Sequence, residues 1–387
     1  MWVCQFIAIL GMSMVVPFLP FYIRELGVTN PVEVTQWSGL VFAAPFMIVP
    51  FSSPLWAMIG DRHGRKIMVV RASFGLALAQ IFIATATSPT QLFFGRLIQG
   101  SFGGFIGAAL ALVSTRTPKE HLGYALGVLQ TASAAGTLAG PFFGGLIADF
   151  IDHRTAFLVV SLLCVVSGAV VIWKVDEHPS SMRGKEPKMN ILERYRFLWQ
   201  SRELRWCLLI ALVANAASTA VVPLFALYVE KMLPAARFIS TKTGLIFSAG
   251  ALSVILASHF WGARSDRHLY RSNIFLGSCL AAVMLFAQGL VTNAWQLLPL
   301  FAVQSAFSCG ISTTLFSLIS RRTEERIRGG VLAVLNSTGL LGVLVGPMTG
   351  SLIAAHLGIP SAFFFGAALL LVVTLMSAQL TDSAEKT

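Results

Sequence analysis

Twelve stretches of this chain are long and apolar enough to cross a bilayer, and nothing else in it limits the possible folds so tightly. They fall at 1–23, 36–60, 67–87, 90–114, 123–149, 154–173, 204–229, 241–262, 272–292, 295–319, 329–354 and 358–380. They are numbered here as spans 1 to 12. A hydrocarbon core is crossed by about 20 apolar residues in a helix. Lipid offers no partner for a backbone N–H or C=O, so such segments bond internally as helices. The predicted fold is therefore an all-α membrane protein with twelve transmembrane helices. Composition excludes a soluble domain: 56% of residues are hydrophobic and 12% charged, where soluble chains carry roughly 25% charged residues.

The net charge of +11 does not mark a nucleic-acid binder, because the basic residues sit in short clusters between apolar runs. With odd-numbered spans running outward, one side receives Arg62, Arg65, Lys66, Arg71, Arg116, Lys119, Arg264, Arg267, Arg271, Arg321, Arg322, Arg326, Arg328 and Lys386. The other side keeps Arg24, Arg154, Lys231, Arg237 and Lys242. The positive-inside rule then puts both ends in the cytoplasm. The five cysteines lie inside apolar runs without paired or metal-type spacing, so they read as packing residues, with neither disulfide nor metal expected. The N-terminus lacks the basic region and small-residue cleavage site of a signal peptide and reads as span 1 itself.

The longest polar stretch, Lys174 to Arg205, contains Pro179 and Pro187 and divides the chain into domains at 1–173 and 204–387, with 174–203 as a cytoplasmic linker. Within it, Ile191, Leu192, Tyr195, Leu198 and Trp199 have the spacing of a surface amphipathic helix. An offset of 205 or 206 residues superimposes the two domains. Val15-Val16-Pro17 and Tyr22 fall on Val221-Val222-Pro223 and Tyr228. Trp56 and Asp61-Arg62-His63 fall on Trp261 and Asp266-Arg267-His268, and Gln99 falls on Gln304. Gly136, Gly140-Pro141 and Gly144 fall on Gly342, Gly346-Pro347 and Gly350. Parallel six-helix repeats are an architecture of secondary transporters, with substrate held at the repeat interface.

Three motifs carry a family resemblance. After span 2 stands Gly60-Asp61-Arg62-His63-Gly64-Arg65-Lys66, an acid at a helix end facing a basic turn in which Gly64 permits the reversal. A solvated turn obeying the charge rule would look similar taken alone, but the repeat carries its echo at Asp266 and Arg267, with Leu269 in place of the turn glycine. In span 4, Leu92, Arg96, Gln99 and Gly100 form an L-x-x-x-R-x-x-Q-G element. Arg96 is the one charge well inside an apolar run, which makes it either a functional residue or a structural arginine satisfied by carbonyls. Span 5 carries Gly136-x-x-x-Gly140-Pro141-x-x-Gly144-Gly145, a smooth face for close packing with a proline that frees one backbone bond. Together these resemble the major facilitator superfamily, and span 5 resembles the motif of its drug/proton antiporter branch. Pro17-Phe18-Leu19-Pro20, Trp37-Ser38-Gly39 and Ser53-Pro54-Leu55-Trp56 look like stretches of multidrug exporters of the MdtG type. The family has a glycine where Ala57 stands.

The resemblance implies a proton-driven secondary transporter of the bacterial cytoplasmic (inner) membrane that exports amphipathic small molecules by alternating access, works as a monomer and needs no cofactor. It implies a cavity lined by spans 1, 4, 7 and 10, with Phe18, Tyr22, Arg96, Gln99, Asn215, Tyr228, Gln304 and Phe307 as candidates. It also implies a conformational switch of Asp61, Arg62, Gly64, Arg65, Asp266 and Arg267, in which Asp61 meets the start of span 11 near Gly329. Arg96 is expected to favour neutral or anionic substrates. No acid lies at mid-depth, so the proton is expected on Asp61 first, then on Glu25, Glu230 or His259. Asn336-Ser337-Thr338 has the form of a glycosylation acceptor but falls within span 11. No nucleotide-binding loop, zinc-protease motif or hydrolase elbow is present, so no catalysis is expected. A dedicated metabolite porter, for example for a sugar, a uniporter or symporter, and a non-transporting sensor remain as alternatives.

Overall fold

A computed structural model describes residues 1–117, 121–175, 199, 201–233, 237–267 and 269–380, without side-chain placement for several helical positions, Asp61 and Arg62 among them. Among the described residues there is no β-strand. Span 1 is Trp2–Glu25 and span 7 Arg202–Met232. Between them lie Pro31–His63, Arg65–Ala84, the pair Pro89–Ser101 and Phe105–Arg116, Leu122–Phe150, and His153–Lys174. After span 7 come Ile239–Asp266, Tyr270–Leu290, Ala294–Arg322, Glu325–Leu357 and Ile359–Met376. Eleven of these qualify as crossings by length and hydropathy. The other, span 5 at Leu122–Phe150, has 29 residues, but its glycines, serines and threonines dilute its hydropathy. The expected surface helix at Ile191–Trp199 lies, apart from Trp199, outside the described residues.

Local chemistry sets the ends and the breaks. Span 2 starts at Pro31, earlier than hydropathy alone indicates, because the Asn30 side chain accepts from the Val32 N–H and Pro31 needs no donor partner. Pro17 and Pro223 each turn their span through a short 3-10 segment, at Val16–Phe18 and Val222–Leu224. Span 4, expected as one helix, is interrupted at Phe102–Gly104, where Gly104 takes φ +96°. That conformation suits a residue without Cβ. Gly64 likewise takes φ +104° between spans 2 and 3, as its place in the basic turn requires. At the repeat position Leu269 keeps φ −86° and the reversal differs.

The chain forms two compact units, one of Met1–Lys185 with Pro234–Ser248, the other of Glu186–Leu233 with Ala249–Thr387. The repeat is legible in their hydrogen bonds. Tyr22 donates to the Ile83 carbonyl and Tyr228 to that of Gln288, at 2.8 and 3.0 Å. Tyr22 packs on Phe157 and Tyr228 on Phe363. The Trp56 and Trp261 indoles donate to the carbonyls of Ser101 and Ala306, at 2.7 and 2.8 Å. Each pair of bonds is related by the offset that aligns the sequences. Within each unit the same partners pack: span 1 on 5 and span 7 on 11, span 3 on 6 and span 9 on 12.

Candidate functional site

The antiporter-type motif of span 5 is a contact surface. A Cβ at Gly136 would meet the backbone of Phe6 and Leu10, and one at Gly140 the Ser13 hydroxyl and the Leu10 carbonyl. One at Gly144 would meet the Met14 carbonyl. Three consecutive helical turns thus lie directly on the span 1 backbone, and Ser13 Oγ bonds across to the Gly136 carbonyl at 3.0 Å. Span 11 repeats this on span 7, where Gly342, Gly346 and Gly350 face the carbonyls of Leu212, Ala216 and Ala220. Gly145 faces Ser240 and Thr241, and the Pro141 carbonyl faces Gly244 at the start of span 8.

Beside Gly145 sits a residue the sequence analysis did not single out. The Asp149 carboxylate accepts the N–H groups of Ser240 and Thr241, at 3.2 and 2.7 Å. These are first-turn donors that a helix cannot satisfy itself, and the positive end of the helix dipole favours the anion. Asp149 occupies the last turn of its own helix, where the dipole disfavours an acid. That misfit is the signal from which a remote partner could have been sought.

Around span 4 one buried and one half-buried arginine differ in surroundings. Arg96, 4% exposed, gives Nη1–H to Gln99 Oε1 at 2.7 Å and Nε–H to the Val41 carbonyl at 3.3 Å. Arg71 lies 3.6 Å over the Trp56 ring and donates to the Gly103 carbonyl at 3.0 Å. The break in span 4 thus frees carbonyls that Arg71 and Trp56 occupy from spans 3 and 2. Sequence analysis had counted Arg71 only as a topological charge.

The other named residues are dispersed. Phe18 and Tyr22 are fully buried, and Tyr228 nearly so; in this conformation they tie span 1 or 7 to its neighbours. Gln304 is buried and donates to Ser308 Oγ at 3.2 Å. Phe307 lies edge-on to Trp261, and Asn215 donates to the Ala211 carbonyl at 2.8 Å. Of the switch residues, Asp266 pairs with Arg321 at 2.8 Å, the side chains being 69% and 43% exposed. Arg267 is exposed. The side chains of Asp61 and Arg62 lie outside the description. Glu25 meets His153 Nδ1 at 2.6 Å, and the imidazole lies tilted against the rings of Phe18 and Phe21. Glu230 is half-buried and His259 exposed on span 8. The described residues contain no cluster of metal-binding side chains.

Residues 1–234 and 234–386 match the Major Facilitator Superfamily model. The chain is 27% identical to "Multidrug resistance protein MdtG" of Proteus mirabilis, covering 95% of this chain and 91% of that protein. It is 30% identical to "Uncharacterized MFS-type transporter YuxJ" of Bacillus subtilis, over 94% of this chain and 93% of the relative. The fold matches a bacterial homologue of the human lysosomal transporter Spinster in an inward-facing and occupied conformation. That match has TM-score 0.81 at 13% identity and covers 97% and 94% of the two chains. It also matches the nucleoside transporter NupG, with TM-score 0.79 at 13% identity over 98% and 97%. A membrane chain with a repeated glycine seam and a family match running end to end, this protein belongs to the Major Facilitator Superfamily and is one of its transporters.

Proposed function

We propose that the protein exports amphipathic small molecules from the bacterial cytoplasm in exchange for protons, with both termini cytoplasmic and the six-span domains 1–173 and 204–387 moving about the 174–203 linker. The observation that carries this reading is the glycine seam of span 5. Glycine–backbone contacts with a proline beside them make a surface on which two helices move as one body or change their bend without side chains in the way. The relatives named as multidrug resistance proteins support the substrate class.

For the proton, Asp61 stays the first choice, at the end of span 2. Glu25, whose carboxylate meets His153, comes next. Glu230 and His259 complete the set. Arg96, held by Gln99 and Val41, acts on substrate through the potential it sets in the N-terminal domain, favouring neutral and anionic compounds. The test is efflux of the neutral dye Nile red from cells expressing the protein, with and without a protonophore. Efflux that stops when the protonophore is added is the expected result; efflux indifferent to it, or absent, sinks the proposal.

A further inference from the structure

The second unit contains a cavity of about 160 Å³ between spans 7, 10 and 11, walled by Asn215, Ser312, Phe316, Asn336, Gly339 and Leu340 among others. None of its lining residues is charged. The acids and bases of the three spans stand toward their ends, from Arg202 to Arg205, at Glu230 and Lys231, at Arg321 and Arg322, and from Glu325 to Arg328. Three uncharged hydrogen-bonding side chains therefore meet in the middle of an apolar bundle. Asn336 and Ser312 are exposed, and among the described residues their side chains make no hydrogen bond. Asn215 spends one N–H on Ala211, which leaves its carbonyl oxygen and a second N–H. An exposed carboxamide at mid-span is costly against lipid tails, so such a group belongs on a face that water or a ligand reaches. Gly339 keeps the space open, since a Cβ there would come within 3.1 Å of Asn215 Nδ2.

We propose that this niche is a binding subsite for a neutral, ring-sized group bearing a hydroxyl or carboxamide, held by Asn215, Ser312 and Asn336 against Phe316 and Leu340. The volume is that of one six-membered ring, since an engineered cavity of about 150 Å³ holds benzene. A cation or anion would enter with no counter-charge, a penalty that neutral groups avoid. The inference deepens the export reading and rests on it for the substrate's identity, but binding is measured without transport.

The experiment titrates the full-length protein in lipid nanodiscs with 4-hydroxybenzamide, 4-ethyltoluene and benzyltrimethylammonium, reading binding by calorimetry. The parent should bind 4-hydroxybenzamide in preference to both others. Asn336→Leu and Gly339→Ala should each weaken that binding about tenfold, the scale of one well-placed hydrogen bond, while melting like the parent. If Asn336→Leu does not fold, Ser312→Ala gives the same reading with a smaller loss. A water-filled packing gap would give no binding by the parent. That result overturns the proposal, as do equal affinities in parent and folded variants, or tighter binding of the cation. A protein that exports Nile red but fails here keeps the export reading and loses the niche; one that binds the amide but exports nothing does the reverse.

Discussion

Span 5 and span 11 share a glycine seam and differ at what surrounds it. Both press three glycines onto the backbone of a partner helix, and both carry a proline in the same register. Beyond the seam, span 5 continues to Gly145 and Asp149, whereas the corresponding positions of span 11 are Ser351 and Ala355. The same contrast recurs elsewhere. Arg71 joins Trp56 in bonding the broken span 4, while Trp261 bonds the unbroken span 10 with no arginine at the matching place. Asp152 caps span 6 by accepting from the Thr155 N–H, while span 12 begins at Gly358 without a side-chain cap. The duplicated scaffold has kept its packing and its tyrosine and tryptophan anchors in both copies. Arg71, Asp149 and Asp152 of the first copy have uncharged residues at the matching positions of the second, whose cavity between spans 7, 10 and 11 is lined by uncharged residues.

The largest effect belongs to what the copies share. Gly144→Leu and Gly350→Leu each place a side chain where a neighbouring carbonyl stands, and strain of this kind costs about 1–3 kcal/mol or more. Both should remove most folded protein from detergent extracts, read by size-exclusion chromatography. If only one variant does so, the seams are not equivalent.

Arg71→Ala comes next and concerns the first copy alone. It strands the Gly103 carbonyl and bares the Trp56 face, a loss of about 1–3 kcal/mol for the unsatisfied group. Arg71→Lys should recover little, since the flat stacked guanidinium is not matched by an ammonium. Parent-like melting of Arg71→Ala would show that the break in span 4 needs no brace.

Asp149→Asn should cost about 0.3–1 kcal/mol through the lost charge–dipole attraction and should speed hydrogen exchange at Ser240 and Thr241. Ala355→Asp in the second copy should gain no matching protection elsewhere. Unchanged exchange at Ser240 and Thr241 would contradict the capping role.

The smallest effect is a pH dependence. The Thr155 N–H holds the Asp152 carboxyl below the usual carboxylate range. Its contribution is therefore complete above the unfolded value of about 3.9 and is lost as pH falls through the lower folded value. Asp152→Asn should flatten a slight decline in melting temperature at that acid end. An identical decline in parent and variant would assign it to other groups.

Much of this was legible in the sequence because the repeat exposed it. The offset alone pairs Tyr22 with Tyr228 and Trp56 with Trp261, and Gly64 stands out as the residue that lets the basic turn reverse. What was not legible depends on partners remote in sequence. Asp149 looks like an ordinary helix-end acid until Ser240 comes beside it. Arg71 counts toward topology until the break at Gly104 supplies it with a carbonyl. Asn336 reads as an irrelevant acceptor triplet until Asn215 and Ser312 join it. Phe18 and Tyr22, named for the cavity by resemblance, are buried where spans 1, 3 and 6 meet, because sequence position along a lining helix does not say which way a side chain faces.

The central claim is that substrate leaves as protons enter, and proton movement in proteoliposomes tests it most directly. Vesicles holding the purified protein and a pH-sensitive dye are made acid inside, and Nile red, a neutral substrate, is then added outside. Proton antiport predicts that the lumen turns alkaline as Nile red enters. It also predicts that Asp61→Asn or Glu25→Gln slows both movements together. Nile red entry with no change in luminal pH would contradict the account.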